Sequence, residues 1–257
     1  MLTAWKNRRF FSVKVDVTLP TRWAELDDRQ LHYFAFLSSH YDSETVKALM
    51  VLRLMNLTVL NRRGRTWKCI YQGRTVYIDP AELVPGVETL KFLDTTAAVR
   101  PERMRNFHAV NILLQDDFTF YDYIRTETFW QRYVGTQRPF FLVQMANYLY
   151  RNADGTYANF GSELSQTEQA IIVLWYIGLK NQLQVYFPDF FKKTEGTTDE
   201  AEQADLMAAN DAMIRALTGG DITKEKQVLD TQCWRAFAEL NAKARESKEL
   251  KKLYAKH

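Results

Sequence analysis

Any chemistry this chain performs must come from a small stock of side chains. It carries four histidines, His32, His40, His108 and His257, and two cysteines, Cys69 and Cys233. No histidine pair has HExxH or HxH spacing. His32 and His40 stand about two helical turns apart, which puts them on one face but too far along it for a single zinc. Neither cysteine has a CxxC partner, so no metal is expected. Nucleophilic catalysis lacks a GxSxG elbow, and Cys69, between Lys68 and Ile70, reads as a small buried apolar residue of a strand. "LTGGD" holds neither GxGxxG nor GxxxxGK[ST], so Gly219-Gly220 reads as a helix stop. Asp116-Asp117 suit a helix N-terminus as cap and dipole partners. Asp122 and Glu127 stand five apart and share a helical face poorly. A glycosidase-like pair among aromatic platforms is the alternative for them. The expectation is a non-enzymatic protein with no cofactor and no identified small-molecule substrate.

The elements that position these residues follow from local signals. "FSVKVDV" alternates Phe11, Val13, Val15 and Val17 with polar residues, as a half-buried strand does. Asp27 with Gln30 forms a capping box for a helix over Asp28–His40, and Ser43 can cap a second over Glu44–Leu57. Strands Thr58–Leu60, Thr66–Tyr71 and Arg74–Ile78 follow, with turns at Asn61–Arg65 and Gln72-Gly73. Asp79-Pro80 opens a short helical turn. Helices are expected over Pro101–Leu114, over Asp117–Tyr133 with its many aromatics, and through "FFLVQMANYLY" after Pro139, ended by "RNADG". Ser165 and Glu168 form the clearest capping box, launching a core helix over Gln166–Val185. After an acidic linker, a helix near Asp199–Leu217 is closed by Gly219-Gly220. A last helix starts around Thr223 and continues towards the C-terminus.

The order helix, turn, helix, basic hairpin is that of a winged helix. Arg62, Arg63, Arg65, Lys68 and Arg74 would lie along the wing and reach phosphates, with Lys6, Arg8 and Arg9 as an arm. Recognition needs a polar face on the second helix. "SETVKALMVLRLMNL" is apolar around most of its circumference, which suits burial better than base readout. Nucleic-acid binding through the hairpin is therefore the alternative reading, not the leading one.

Composition places the chain among globular proteins: 257 residues, 46% hydrophobic and 14% aromatic, enough for a core in one large domain or two smaller ones. The net charge of +3 is unevenly spread. Residues 1–80 carry 13 Lys/Arg against 7 Asp/Glu, residues 194–222 carry 1 against 7, and residues 223–257 carry 9 against 5. Basic ends around an acidic connector suit charge-complementary packing between copies or partners, or are ordinary surface variation. Two distant cysteines argue against a disulfide framework and for a reducing compartment. "MLTAWKNRRFFSVKVDV" lacks the pattern of a signal peptide, and the longest apolar run, "AIIVLWYIGL", is about half a bilayer span. A cytoplasmic protein without membrane contact is expected.

The last helix carries an apolar stripe of Leu229, Cys233, Phe237, Leu240 and Ala244, with Trp234 beside it, suited to docking in a groove. Beyond Ala244, "RESKELKKLYAKH" has too few apolar groups to order alone, so it is a projecting helix or frayed. The stretch "NDAMIRALTGGDITKEKQVLDTQCWRAFAELNAKARESKELKKLY" resembles small uncharacterised proteins of tailed-phage and prophage-like tail or assembly modules. The resemblance implies a structural or assembly subunit, packed against copies of itself or a larger partner, and a place in the virion. No site residue follows from it.

The expected fold is α+β, mainly helical, with a small N-terminal antiparallel β element and a C-terminal helical extension. Three segments are expected: 1–80 with the basic hairpin, a helical core over 81–193, and 194–257 with acidic linker and C-terminal helices. The leading function is a structural, assembly or protein-interaction subunit, with Leu229, Cys233, Trp234, Phe237 and Leu240 as its contact residues and a protein partner or homo-oligomer implied.

Overall fold

A computed structural model describes residues 5–6, 12–13, 17–96, 99–112, 118–191 and 202–254. The fold is α+β and mainly helical. Two compact units divide it: Met1–Val99 with Gln166–Ile171, and Arg100–Ser165 with Ile172–His257. The expected three segments are thus regrouped, with residues 81–99 packing in the first unit and the C-terminal helices in the second.

In the first unit, β1 (Trp5–Lys6) pairs antiparallel with β2 (Ser12–Val13). The strand expected over Phe11–Val17 is therefore a two-residue pairing among the described residues; Phe11 and Lys14 to Asp16 lie outside them, and Val17 is already irregular. Helix α1 (Asp28–Ser38) begins with the expected Asp27/Gln30 capping box. Helix α2 (Ser43–Leu54) is capped by Asp42, whose carboxylate accepts from the Thr45 N–H; Ser43 is its first helical residue rather than its cap. Aspartate outcompetes the serine here because its second oxygen also takes the Thr45 hydroxyl, at 2.8 Å. Strands β3 (Thr58–Arg63), β4 (Thr66–Tyr71) and β5 (Arg74–Ile78) form a three-stranded antiparallel sheet in that order. The first strand runs on to Arg63, past the expected end at Leu60. A bulge between Val59 and Asn61 corrects the register, and the chain reverses in two residues at Gly64, whose φ of 59° suits glycine.

Helix α3 (Pro80–Thr89) has Asp79 and Glu82 as its capping box. It packs so closely on α2 that a Cβ at Gly86 would meet both Val51 methyls at 2.9 Å. A 3-10 turn over Leu90–Asp94 closes the unit. Trp23 fills the core edge-on to Phe34 and Phe92, at 5.1 and 5.7 Å between ring centroids.

The second unit departs from expectation at its start. The helix expected over Pro101–Leu114 is a hairpin, β6 (Arg103–Met104) and β7 (Phe107–Ala109), joined through Arg105 at φ 55°. Strand β7 also pairs with β8 (Tyr150–Arg151), and that long-range ladder supplies the hydrogen bonds a local helix would have made. Residues 113–117, and with them the expected cap Asp116-Asp117, lie outside the described residues. Helix α4 (Phe120–Thr136) starts instead from a Thr119/Asp122 capping box. Helix α5 (Pro139–Leu149) returns antiparallel to it. Helix α6 (Gln166–Tyr186) follows at the expected position. Helix α7 (Glu202–Thr218) ends at Gly219 and Gly220, with φ of 65° and 85°, as a glycine stop requires.

The last helix is broken into a 3-10 turn, α8 (Glu225–Leu229) and α9 (Cys233–Tyr254). The break arises because the chain at Thr231–Cys233 hydrogen-bonds to the entry of α4. The Phe120 N–H donates to Thr231 O at 2.8 Å and the Cys233 N–H to Phe118 O at 3.0 Å. The core of this unit is an aromatic cluster around buried Phe237, edge-on to Tyr123 at 4.6 Å and against Phe120, Phe187, Phe190 and Phe191.

Candidate interaction surface

Helix α4 carries both carboxylates singled out by the sequence, and both are buried. Asp122 closes the cap of its own helix, with one oxygen 3.0 Å from the Thr119 N–H. The same oxygen receives Arg151 Nη2 at 2.9 Å, and the other receives the Tyr157 hydroxyl at 2.7 Å. Arg151 spends its other terminal nitrogen on the Tyr148 and Tyr150 carbonyls, so the charge pair is satisfied on both sides. Glu127 lies one and a half turns on. Its Oε1 accepts from Gln131 Nε2 at 2.7 Å and Lys180 Nζ at 2.6 Å, and its Oε2 accepts from the Tyr176 hydroxyl at 2.7 Å.

Two separate clusters result, each with its own cation and its own tyrosine. This arrangement locks α4 to β8 through Asp122 and to α6 through Glu127. Burial, and after it the charge of Glu127, pushes the Tyr123 and Tyr176 hydroxyls far above the ordinary phenol range. Burial does the same to the Cys233 thiol, and raises that of Cys69 to about 11. Both cysteines are therefore thiols, not thiolates, at neutral pH.

In the first unit, Ser43 Oγ donates to Asp94 at 2.5 Å, and buried Lys47 Nζ lies 2.8 Å from Asp94 and 2.6 Å from Glu44. Burial disfavours the Lys47 charge, but the hydrogen bonds to Asp94 and Glu44 outweigh it and raise its pKa. A concavity of about 340 Å³ opens beside Ser43, Lys47 and Asp94, lined also by Phe34 and Tyr41. A second, of about 350 Å³, lies between α2, α3 and the sheet, with Trp67 and Val84 in its walls. A third, of about 280 Å³, sits at the end of α7 around Asp211, Arg215 and Ile222.

The sheet register disperses the five basic hairpin residues. Trp67, Cys69, Val76 and Ile78 point inward and are buried. Lys68, opposite Asn61 and Tyr77, and Arg63, opposite Thr66, therefore belong to the outer face. Arg62 and Arg74 have the opposite parity. Arg62 lies on the inner side with its guanidinium 5.1 Å from the Trp67 ring centroid. Arg65 sits in the first turn, whereas Arg74 sits beside the second, at the other end of β4, a strand of six residues or about 20 Å. All but Lys68 are exposed, yet they share neither a face nor an end. Helix α2 buries Val46, Lys47, Leu49, Met50, Val51 and Leu52, which leaves it no continuous polar face to lay in a groove.

The apolar stripe offered for docking is already covered within the chain. Cys233, Phe237 and Leu240 are buried in the aromatic cluster. Leu229 is half-buried on α8, and half-buried Trp234 packs edge-on to Tyr186 and Phe187 at 5.3 and 4.8 Å. What the stripe does not cover is its own continuation. Helix α9 is about 33 Å long, and every residue from Arg245 to Tyr254 is exposed. Leu250, Leu253 and Tyr254 are 53%, 60% and 79% exposed. Leu250 and Tyr254 stand ten and fourteen residues beyond buried Leu240, about 80° and 40° round the helix from it, so they line the flank of the buried face. The sequence held that signal, but the polar residues around it masked it.

Of the histidines, His32 and His108 are half-buried in different units, and His40 bonds the Phe36 carbonyl through Nδ1 at 2.7 Å. His257 lies outside the described residues. Among the described residues no three His, Cys, Asp or Glu side chains gather as a metal site, and no helix is long and apolar enough to cross a membrane. Compared with models of protein families, with curated proteins and with solved structures, the chain finds no match.

Proposed function

We propose that this protein is a non-catalytic interaction or assembly subunit that engages a protein partner, a further copy of itself included, through the distal half of α9. The observation that carries this reading is the ten-residue helical overhang with Leu250, Leu253 and Tyr254 exposed along one side. The overhang is nucleated by the buried first half of α9 but leaves its apolar side chains in water, and a partner covering that side adds the stabilisation of burial. The apolar side of the overhang, Leu250, Leu253 and Tyr254 at spacings of three and four, lies beside the face that the first half buries. This reading agrees with the expectation, drawn from the last fifty residues, of a tailed-phage-like or prophage-like assembly subunit working in the cytoplasm or in a virion.

The test is sedimentation of the full chain together with hydrogen exchange. The expected result is a mass that rises above 30.2 kDa with concentration, with protection at residues 245–254 that rises in parallel. Leu250→Glu with Leu253→Glu abolishes both and leaves the circular dichroism of the body intact. A 30.2 kDa monomer whose overhang stays protected on its own, indifferent to that double variant, overturns the reading.

A further inference from the structure

The α4–α5 hairpin presents a surface of unusual charge. From Phe118 to Leu149 the only carboxylates are Asp122 and Glu127, and both are buried and paired inside. The cations of the same stretch are Arg125, Arg132 and Arg138. Arg132 and Arg138 are exposed and Arg125 is half-buried. No ion pair is made by any of the three among the described residues, and Arg125 Nε is buried without a hydrogen-bond partner. Elsewhere in this unit Arg151, Lys180, Lys224, Lys226, Lys243 and Lys248 all have carboxylate partners.

Aromatic rings alternate with these cations. Arg132 stands 6.0 Å from the Phe141 ring, and Arg125 stands 5.1 Å from Phe129 and 6.0 Å from Tyr148. Tyr148 packs edge-on to Tyr121 at 6.3 Å and to Tyr157 at 5.4 Å. Three rings at the two ends of the ladder are open to solvent: Tyr121 at 39%, Tyr157 at 50% and Phe140 at 54%. Arg151 backs Tyr157 at 4.3 Å, so one ring face is supported while the rest stays exposed. Asp154, in the nearby turn, accepts from the Thr156 hydroxyl and N–H, which lower its pKa and keep it an ionised carboxylate.

We propose that this face binds single-stranded nucleic acid, with bases stacking on Tyr121, Tyr157 and Phe140 and phosphates on Arg125, Arg132 and Arg138. Guanidiniums without an ion-pair partner among the described residues suit a polyanion. Open rings flanked by arginine are the means by which proteins hold unpaired bases, and a flat surface suffices for it. A docked peptide helix needs a groove, and the concavities described above are lined by other elements. Eleven residues of α4 separate Tyr121 from Arg132, about 16 Å along the axis, enough for a few extended nucleotides. This site is distinct from both the basic hairpin and the α9 overhang.

The experiment is fluorescence anisotropy of a labelled oligo(dT) 15-mer titrated with the full chain at 50 and 200 mM salt. Three phosphate contacts on a single strand give a log–log salt slope of roughly −2, so micromolar affinity should fall about 20-fold across that range. Arg132→Gln with Arg138→Gln, both at exposed positions, should weaken binding at least about tenfold and flatten the slope. Tyr121→Ala should weaken it by about tenfold at unchanged slope, since a stacked base is worth about 1–3 kcal/mol; Phe140→Ala serves as the second stacking variant. Arg63→Gln with Arg65→Gln should change nothing. Absence of binding at 50 mM salt overturns the proposal. So does loss confined to the hairpin variant, tighter binding of duplex, or competition by polyglutamate as effective as that by polyuridylate, which would reassign the face to an acidic protein.

Discussion

Asp122 and Arg151 form an ion pair 2.9 Å apart in which neither side chain retains more than a tenth of its accessible surface. One pins the start of α4 and the other pins β8, so the pair joins the helical hairpin to the small sheet.

Removing one member leaves the other charged and dry. Asp122→Asn or Arg151→Met should each cost about 3–5 kcal/mol of stability. The double variant should cost less than their sum, because the orphaned charge is gone. Urea unfolding followed by tryptophan fluorescence measures all three.

The two halves of α9 should respond in opposite ways to the same type of substitution. Phe237→Ala opens a cavity among five other aromatic rings and should cost about 3–5 kcal/mol. Leu250→Ala should stay within about 0.5 kcal/mol for the isolated chain, while weakening any assembly. Chemical denaturation at low protein concentration, where only the body contributes, separates the two effects.

Stability should fall in acid partly through Asp94. Its carboxyl is held below the usual range by hydrogen bonds from Lys47 and then Ser43. A depressed carboxylate contributes stability above its unfolded pKa, about 4, and loses it as pH falls through the lower folded value. The urea midpoint should therefore drop as pH falls below about 4, and Asp94→Asn should be destabilised at pH 7 with a shallower drop in acid. Lys47, with its pKa raised by the same contact, contributes at all pH values below its unfolded pKa and loses that only above it.

Both cysteines should be inert to an aromatic disulfide reagent in the native protein at pH 8. Each is buried, and Cys69 with a pKa of about 11 holds well under 1% thiolate at that pH. Two equivalents should react after unfolding in guanidinium, and the native rate should follow unfolding rather than reagent concentration. Immediate modification of one thiol would show that a unit opens locally.

Gly86 should not tolerate a side chain. Alanine there would press on both Val51 methyls at 2.9 Å, and the valine, packed in α2, has little room to yield. A loss of about 1–3 kcal/mol is expected, as for overpacked cores, against the gain that Gly→Ala gives in an open helix. Thermal denaturation of Gly86→Ala checks the sign.

The amino-acid sequence alone determined the features that nearest neighbours control. Asp27 with Gln30, Asp79-Pro80 and Gly219-Gly220 fix helix ends through bonds within five residues. Cys69, inside the strand Thr66–Tyr71, already read as a buried apolar residue, and it is buried. The apolar circumference of α2 already spoke for burial. Tertiary structure decided the rest, for one physical reason: it turned on partners remote in the chain. "PERMRNFHAV" became a hairpin because β8, more than forty residues on, offered a ladder. Asp122 and Glu127 became structural because Arg151 and Lys180, 29 and 53 residues away, neutralise them. The stripe through Phe237 turned inward because rings of α4 and the segment after α6 close on it. Likewise Arg125 and Arg132 are left without the two carboxylates of their own helix because folding buries Asp122 and Glu127 against Arg151 and Lys180.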